Sequence, residues 1–273
     1  MSRQMRTPAL IGMSGYATAG KDAAAQVLLD SGYRLAGFSD GIGAVARVIN
    51  PALHGTVRLA EYVQQVGWDR AEQYREVAYL LKNTREAVTL PVLRDGRIVD
   101  EAGVRTLLLA ANPYIDGHLR IATVADSLGW TEAKRLTEVR GLLQRIGGPE
   151  GGRKVFGQSV WIDTVLAAAD GHPTVVTGVR FVDELRAIED NGGLVIRVSR
   201  PGVGPANTHA TETSLDDHVF AWRLTNDSTL EVLRERLARL VYDRQMDETA
   251  AGRVAAGLSD RQIALRETLP LAA

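Results

Sequence analysis

Ser14-Gly15-Tyr16-Ala17-Thr18-Ala19-Gly20-Lys21-Asp22 follows directly on the apolar run Ala9–Met13 and leads into Ala23–Leu29, which reads as helix and stops at Ser31-Gly32. Glycines at both ends of such a turn let the backbone curl until successive N–H groups point at phosphate oxygens. The helix that follows aims its positive end at the same place. Gly15-x-x-x-x-Gly20-Lys21 therefore has the spacing of a phosphate-binding loop (P-loop), with Lys21 placed to reach the β- and γ-phosphates of a nucleotide. The nucleotide-binding residues predicted on this basis are Gly15, Tyr16, Ala17, Thr18, Ala19, Gly20, Lys21, Asp22 and Ala23. Asp22 stands where a Ser or Thr usually ligates magnesium. A carboxylate can hold that ion directly or through water, so Asp22 is the metal candidate and Mg2+ with ATP the expected cofactor. Ala23 offers no hydroxyl as a substitute.

Beyond the loop, Tyr33–Phe38 reads as a second strand and Gly41–Ile49 as a helix running up to Pro51. Thr174–Thr177 and Leu194–Ser199 are compact β-rich runs, separated by the helical pattern Val182–Glu189 and a Gly192-Gly193 stop. Phe220–Leu224 reads as another strand and Thr229–Val241 as a closing helix. Strands alternating with helices predict a parallel sheet covered by helices on both faces. From Asp243 onward the chain is polar and Ala-rich with weak periodicity, and reads as a tail.

At 273 residues and 45% apolar content the chain has the composition of an ordinary globular α/β protein. Its net charge of −1 gives no bulk attraction for nucleic acid or an anionic membrane, and it has no cysteine, which excludes disulfides and thiolate metal sites. Met1–Pro8 has no apolar core of signal-peptide length, and no apolar run reaches the roughly 18 residues of a membrane span. The expectation is a soluble, cytoplasmic protein.

The middle of the chain repeats itself. A shift of 62 aligns Asn50–Lys82 with Asn112–Gln144, and 12 of the 33 positions are identical, among them Asn50/Asn112, Pro51/Pro113, Gly55/Gly117, Arg58/Arg120, Gly67/Gly129, Trp68/Trp130 and Glu76/Glu138. Two copies fall short of the three or so that a solenoid needs, so the reading is a partial tandem duplication. Val88–Leu93 and Arg97–Asp100, around Arg94-Asp95-Gly96, read as a β-hairpin between the copies.

Taken in order, Ser14-Gly15…Gly20-Lys21-Asp22, Leu35-Ala36-Gly37-Phe38-Ser39-Asp40, Val139-Arg140…Gln144…Gly147, Val160-Trp161, Val175-Val176-Thr177…Arg180, Arg200-Pro201-Gly202, Thr208-His209…Glu212 and Thr225-Asn226-Asp227 resemble the deoxynucleoside monophosphate kinases of bacteriophages. The resemblance covers both the T-even type and those of actinobacterial phages. It runs over residues 9–240, interrupted by the duplicated middle. It implies a P-loop kinase domain over 1–243, in which 50–146 is an inserted helical monophosphate-binding region and 199–215 a lid, with 244–273 as tail. The implied reaction passes the γ-phosphoryl of ATP to a deoxynucleoside monophosphate, with Lys21, Arg180 and Arg200 as catalytic cations. Asp40, Arg140, Gln144, Trp161 and Arg180 fall on the acceptor side, and Asn226 on the adenine-side loop. The resemblance further implies a homodimer acting in the host cytoplasm, with no nucleic-acid polymer or membrane as partner.

Local chemistry leaves alternatives at several of these positions. Arg180 can clamp phosphate bidentately or pair with Asp183 or Glu184. Arg140 and Gln144, four apart on one helix face, can hold a phosphate and a base edge or line a solvated surface. Trp161 can stack beside a nucleotide or fill a core, and Asn226 can be a plain turn or cap. His209 reads as structural within the lid, because phosphoryl transfer relies on positioning and electrostatics rather than a proton carrier. Gly43 stands where these kinases commonly have a lysine, and Gly178 where they commonly have an acid. Two other functions stay open on the residues alone: a P-loop kinase of another small phosphorylated acceptor, such as phosphomevalonate or dephospho-coenzyme A, and a nucleotide-binding regulator without turnover.

Overall fold

The structure, a computed structural model, describes residues 9–93, 98–205 and 213–241. The elements in order are β1 (Leu10–Ser14), α1 (Lys21–Asp30), β2 (Arg34–Gly37), α2 (Asp40–Ile49), α3 (Leu59–Val66), α4 (Trp68–Ala71), α5 (Arg75–Ala87), α6 (Glu101–Ala111), α7 (Ile121–Ala133), α8 (Thr137–Gly147), α9 (Gly152–Phe156), α10 (Val160–Ala169), β3 (Thr174–Val179), α11 (Val182–Asp190), β4 (Leu194–Ser199) and β5 (Trp222–Thr225). A last helix, α12, covers 230–241. They form two compact units, Ala36–Asp170 and the remainder of the chain on either side of it.

The sheet unit carries five parallel strands in the order β2-β3-β1-β4-β5. All five residues of β1 are buried, because the strand is paired on both edges and covered on both faces. That is why it reads as a continuous apolar run rather than an alternating one. Ile11, Met13, Val175, Ile196 and Leu237 form the centre of this unit's core. The β1–β3 ladder slips one residue between Met13 and Ser14, so that Gly178 is left out of the pairing with φ +80°. A side chain there would be strained by its own backbone, which accounts for glycine at this position.

In the helical unit, the sequence repeat is a repeat of structure, and it extends further than the matching residues. Both α2 and α6 end on an asparagine in the left-handed conformation, Asn50 (φ 50°, ψ 51°) and Asn112 (φ 43°, ψ 58°). Gly67 and Gly129 break the next helix at equivalent places, with φ 75° and 72°. The two copies bind each other reciprocally. Arg58 of the first makes a bidentate pair with Glu138 of the second (3.0 and 3.0 Å), and Arg120 of the second pairs with Glu76 of the first (2.6 and 2.8 Å). Asn112 Oδ1 accepts the Ala60 N–H while Asn50 Oδ1 accepts that of Ala122. Leu59 N donates to Pro113 O and Ile121 N to Pro51 O. Every one of these contacts maps onto its counterpart under the shift of 62, so the unit has an internal pseudo-twofold, an isologous interface within one chain.

The hairpin expected between the copies does not form. Thr89 N, Leu90 N and Leu93 N bond to carbonyls three residues back, Pro91–Leu93 is a 3-10 turn, and Val88, Leu90 and Leu93 pack on the helical core. Asp100 caps α6 by accepting the Gly103 N–H at 2.8 Å. Arg94–Arg97 lie outside the described residues, as do Thr208, His209 and Glu212 of the expected lid and the expected tail from 244 onward.

Candidate functional site

In the sheet unit, the residues singled out by sequence follow the carboxyl ends of the strands. The 15–20 loop follows β1, Arg180 follows β3, Arg200 follows β4 and Asn226 follows β5. The strand order turns about β1, with β3 on one side and β4 on the other. In open α/β sheets the crevice at such a switch point is where ligands bind.

The loop is built on two glycines that no other residue can replace. Gly15 has φ +144°, and a Cβ there would sit 2.3 Å from the Val198 carbonyl oxygen; Gly20 has φ +103°, and its Cβ would sit 2.3 Å from Asn226 Nδ2. Thr18 holds a left-handed backbone too, at φ +63°, a conformation that costs a non-glycine residue about 1–2 kcal/mol. Lys21, at the start of α1, folds its ammonium back over the loop and donates to the carbonyls of Gly15 (2.7 Å) and Tyr16 (2.6 Å). Gly20, the residue before α1, has no side chain to cap the helix. Asp22 is exposed in that turn, and no ion pair engages it among the described residues. A lone carboxylate of this kind fits Mg2+, which takes one or two protein oxygens and fills its octahedron with phosphates and water. Among the described residues no group of three or more His, Asp or Glu side chains comes together to hold a metal.

Asn226 belongs to the loop by contact. Its side chain donates to the Ala19 carbonyl (3.1 Å) and its backbone N–H to Ser199 O (2.8 Å). Its observed role is to brace the loop from the β5 end. Arg180 and Arg200 are exposed, and no ion pair forms to either among the described residues. Glu184 does not pair with the Arg180 guanidinium. Its buried carboxylate accepts the backbone N–H groups of Arg180 (2.8 Å) and Phe181 (3.1 Å), which fixes the turn carrying Arg180.

Two residues that the sequence reading passed over join this site. Arg197 Nη1 donates to Ser14 Oγ (3.2 Å) and Nη2 to Asp216 Oδ1 (3.0 Å), and its guanidinium lies 4.7 Å from the Tyr16 ring centre and 5.5 Å from that of Phe220. The Tyr16 hydroxyl donates to the same Asp216 oxygen at 2.6 Å, which raises the tyrosine's pKa. One carboxylate just past the expected lid thus ties the loop to β4. The available signal was Arg197 itself, a lone charge inside the apolar run Leu194–Val198.

The acceptor-side candidates lie in the helical unit. Arg140 and Gln144 are both exposed on α8, and Arg140 Nε donates to the Lys134 carbonyl (3.2 Å) at the end of α7. Asp40 turns its carboxylate to the Gly37 N–H (2.7 Å), in the turn before α2. Trp161 is 3% exposed, with its indole N–H on Gly147 O (2.9 Å) and its ring against Gly41, Gly152 and Phe156. It is a core residue that anchors the end of α8. Gly43 lies in α2 with the Trp130 ring against it, 3.4 Å from where a Cβ would be.

No protein-family model matches this chain, and no curated protein matches it in sequence. No helix among the described residues is long and apolar enough to cross a membrane.

Proposed function

We propose that this chain is a P-loop phosphotransferase of the nucleoside monophosphate kinase type, passing the γ-phosphoryl group of ATP to a deoxynucleoside monophosphate. The observation that carries the reading is the 15–20 loop on the central strand, with two obligatory glycines, an uncapped helix start and the Lys21 ammonium folded over it. A bound nucleotide's phosphate oxygens would replace the Gly15 and Tyr16 carbonyls as acceptors for Lys21. The loop amides and the positive end of α1 would hold the same phosphates. Arg180 and Arg200, each following a strand beside β1, supply guanidinium groups for the charge that spreads over the γ-phosphoryl oxygens in flight. Mg2+, if bound, would neutralise phosphate charge, and Asp22 would be the protein oxygen that holds it. An acceptor that already carries an ionised phosphate needs no general base.

The restriction to deoxynucleoside monophosphates rests on the sequence resemblance. It is tested by ADP release from ATP and Mg2+ in the presence of dGMP, dTMP, dCMP, dAMP and their ribose counterparts. At least one deoxynucleotide should drive ADP release with stoichiometric diphosphate formation. Release driven by none of the monophosphates would sink the assignment, and release driven by another phosphorylated acceptor would reassign it.

A further inference from the structure

The pseudo-twofold of the helical unit supplies an internal control, because each position in one copy has a counterpart in the other. In the first copy Arg105 stacks over Trp68 with its guanidinium 5.2 Å from the ring centre. It also donates to Glu72 (2.5 Å) and approaches Glu101 (3.9 Å), while Glu101 is held in turn by Arg85 (2.7 Å). Two arginines and two glutamates thereby compensate one another. In the second copy, shifting by 62 puts Gly147 at the place of Arg85, Ser39 at that of Glu101, Gly43 at that of Arg105 and Lys134 at that of Glu72. Arg140 takes the place of Ala78.

The scaffold is unchanged: Gly43 meets Trp130 as Arg105 meets Trp68, and Ile42 fills the space beside Gly147. The charge is not. At these matching positions a net charge of zero becomes two cations and no acid. Lys134 Nζ, half-buried, donates to the neutral Ser39 hydroxyl at 2.9 Å, and no ion pair forms to Lys134 or Arg140 among the described residues. Ser39 is the residue before α2, and with its oxygen taken up by Lys134 it makes no cap bond to that ten-residue helix. Of the acids beside these residues, Asp40 is turned to the Gly37 amide and Glu132 pairs with Arg135 (3.0 Å). Lys134 thus reaches the uncapped start of α2, and Arg140 lies against the Lys134 backbone, where the equivalent site neutralises itself.

We propose that Lys134, together with Arg140 and the start of α2, binds the phosphate of a small phosphomonoester, which on the kinase reading above is the acceptor monophosphate. Dianionic phosphate takes up charge-assisted hydrogen bonds from ammonium and guanidinium groups that have no competing carboxylate. The first copy, with Glu72 and Ala78 at the matching places, is excluded from that role by its own charges.

The test measures equilibrium binding of dGMP, dTMP, dCMP and dAMP, without ATP, to the wild type and to Lys134→Met, alongside the corresponding deoxynucleosides. Lys134→Met should weaken binding of the monophosphate by about tenfold or more while leaving the deoxynucleoside within about twofold, and Lys134→Arg should restore most of it. Glu72→Gln, the counterpart change in the first copy, should leave monophosphate binding unchanged. Lys134→Gln serves if the Met variant melts early. A folded Lys134 variant that binds monophosphates as the wild type does would overturn the proposal, as would a wild type that binds none of the four. ADP release is read separately: monophosphate binding that depends on Lys134 in a protein without turnover would keep this site and discard the kinase.

Discussion

Glu184 shows how a single residue couples the fold to the site. Burial pushes its carboxyl above the ordinary 4.5 of a glutamate, against the opposing hydrogen bonds from the Arg180 and Phe181 amides. Relative to the unfolded chain, folding therefore favours the protonated form of Glu184. Its contribution to stability is fully present below pH 4.5 and declines as pH rises through the raised folded value. A glutamine keeps the acceptor oxygen for both amides and removes the charge. Glu184→Gln should gain stability relative to the wild type between pH 4 and pH 8, read as the difference in Tm at each pH. A difference that shrinks or reverses as pH rises would mean that the ionised carboxylate is the stabilising form. At this scale the sequence was informative where geometry admits one residue type. Gly15 and Gly20 were legible as glycines because their backbone angles and close neighbours leave no room for a side chain. Trp161 was not, since a buried indole and a stacking indole look alike in sequence, and Asp216 was not, since its partners lie 19 and 200 positions away.

At the scale of elements, the helical unit depends on both copies at once. Each bidentate Arg–Glu pair joins one copy to the other, and all four side chains are 30% exposed or less. Hydrogen bonds to charged partners at such depth contribute about 1.5–3 kcal/mol, and leaving one partner behind costs a comparable amount. Arg58→Met and Arg120→Met should therefore each lower the unfolding free energy in urea titrations, Arg120→Met by about that much and Arg58→Met by somewhat less, because Glu138 keeps Arg145 (2.9 Å) as a partner. A first copy that merely decorates the second would leave one of the two variants close to the wild type. The duplication itself was legible from Asn50/Asn112, Arg58/Arg120 and Glu76/Glu138. Its reciprocity was not, because identity at equivalent positions does not say whether Arg58 bonds within its own copy or across. The misread hairpin has a related cause. Val88-Thr89-Leu90 and an Asp-Gly pair carry local β signals, yet the residues before Pro91 close i→i−3 turns and bury their apolar side chains on helices.

At the scale of the whole molecule, alternation of strands and helices was enough to predict the parallel sheet, and β4 falls on the Leu194–Ser199 run as read. Strand order was not accessible from periodicity, although it is what sets β1, with its loop, between β3 and β4. On the function proposed above, this loop holds the phosphates of ATP and Lys21 stabilises the group in transfer. The measurement that tests it most directly is acceptor-dependent ADP release by Lys21→Ala beside the wild type, with Tm recorded for both. Turnover should fall by about two to three orders of magnitude, equivalent to roughly 3–4 kcal/mol of lost transition-state stabilisation, with Tm nearly unchanged. Turnover like the wild type's in a folded Lys21→Ala protein would contradict the account.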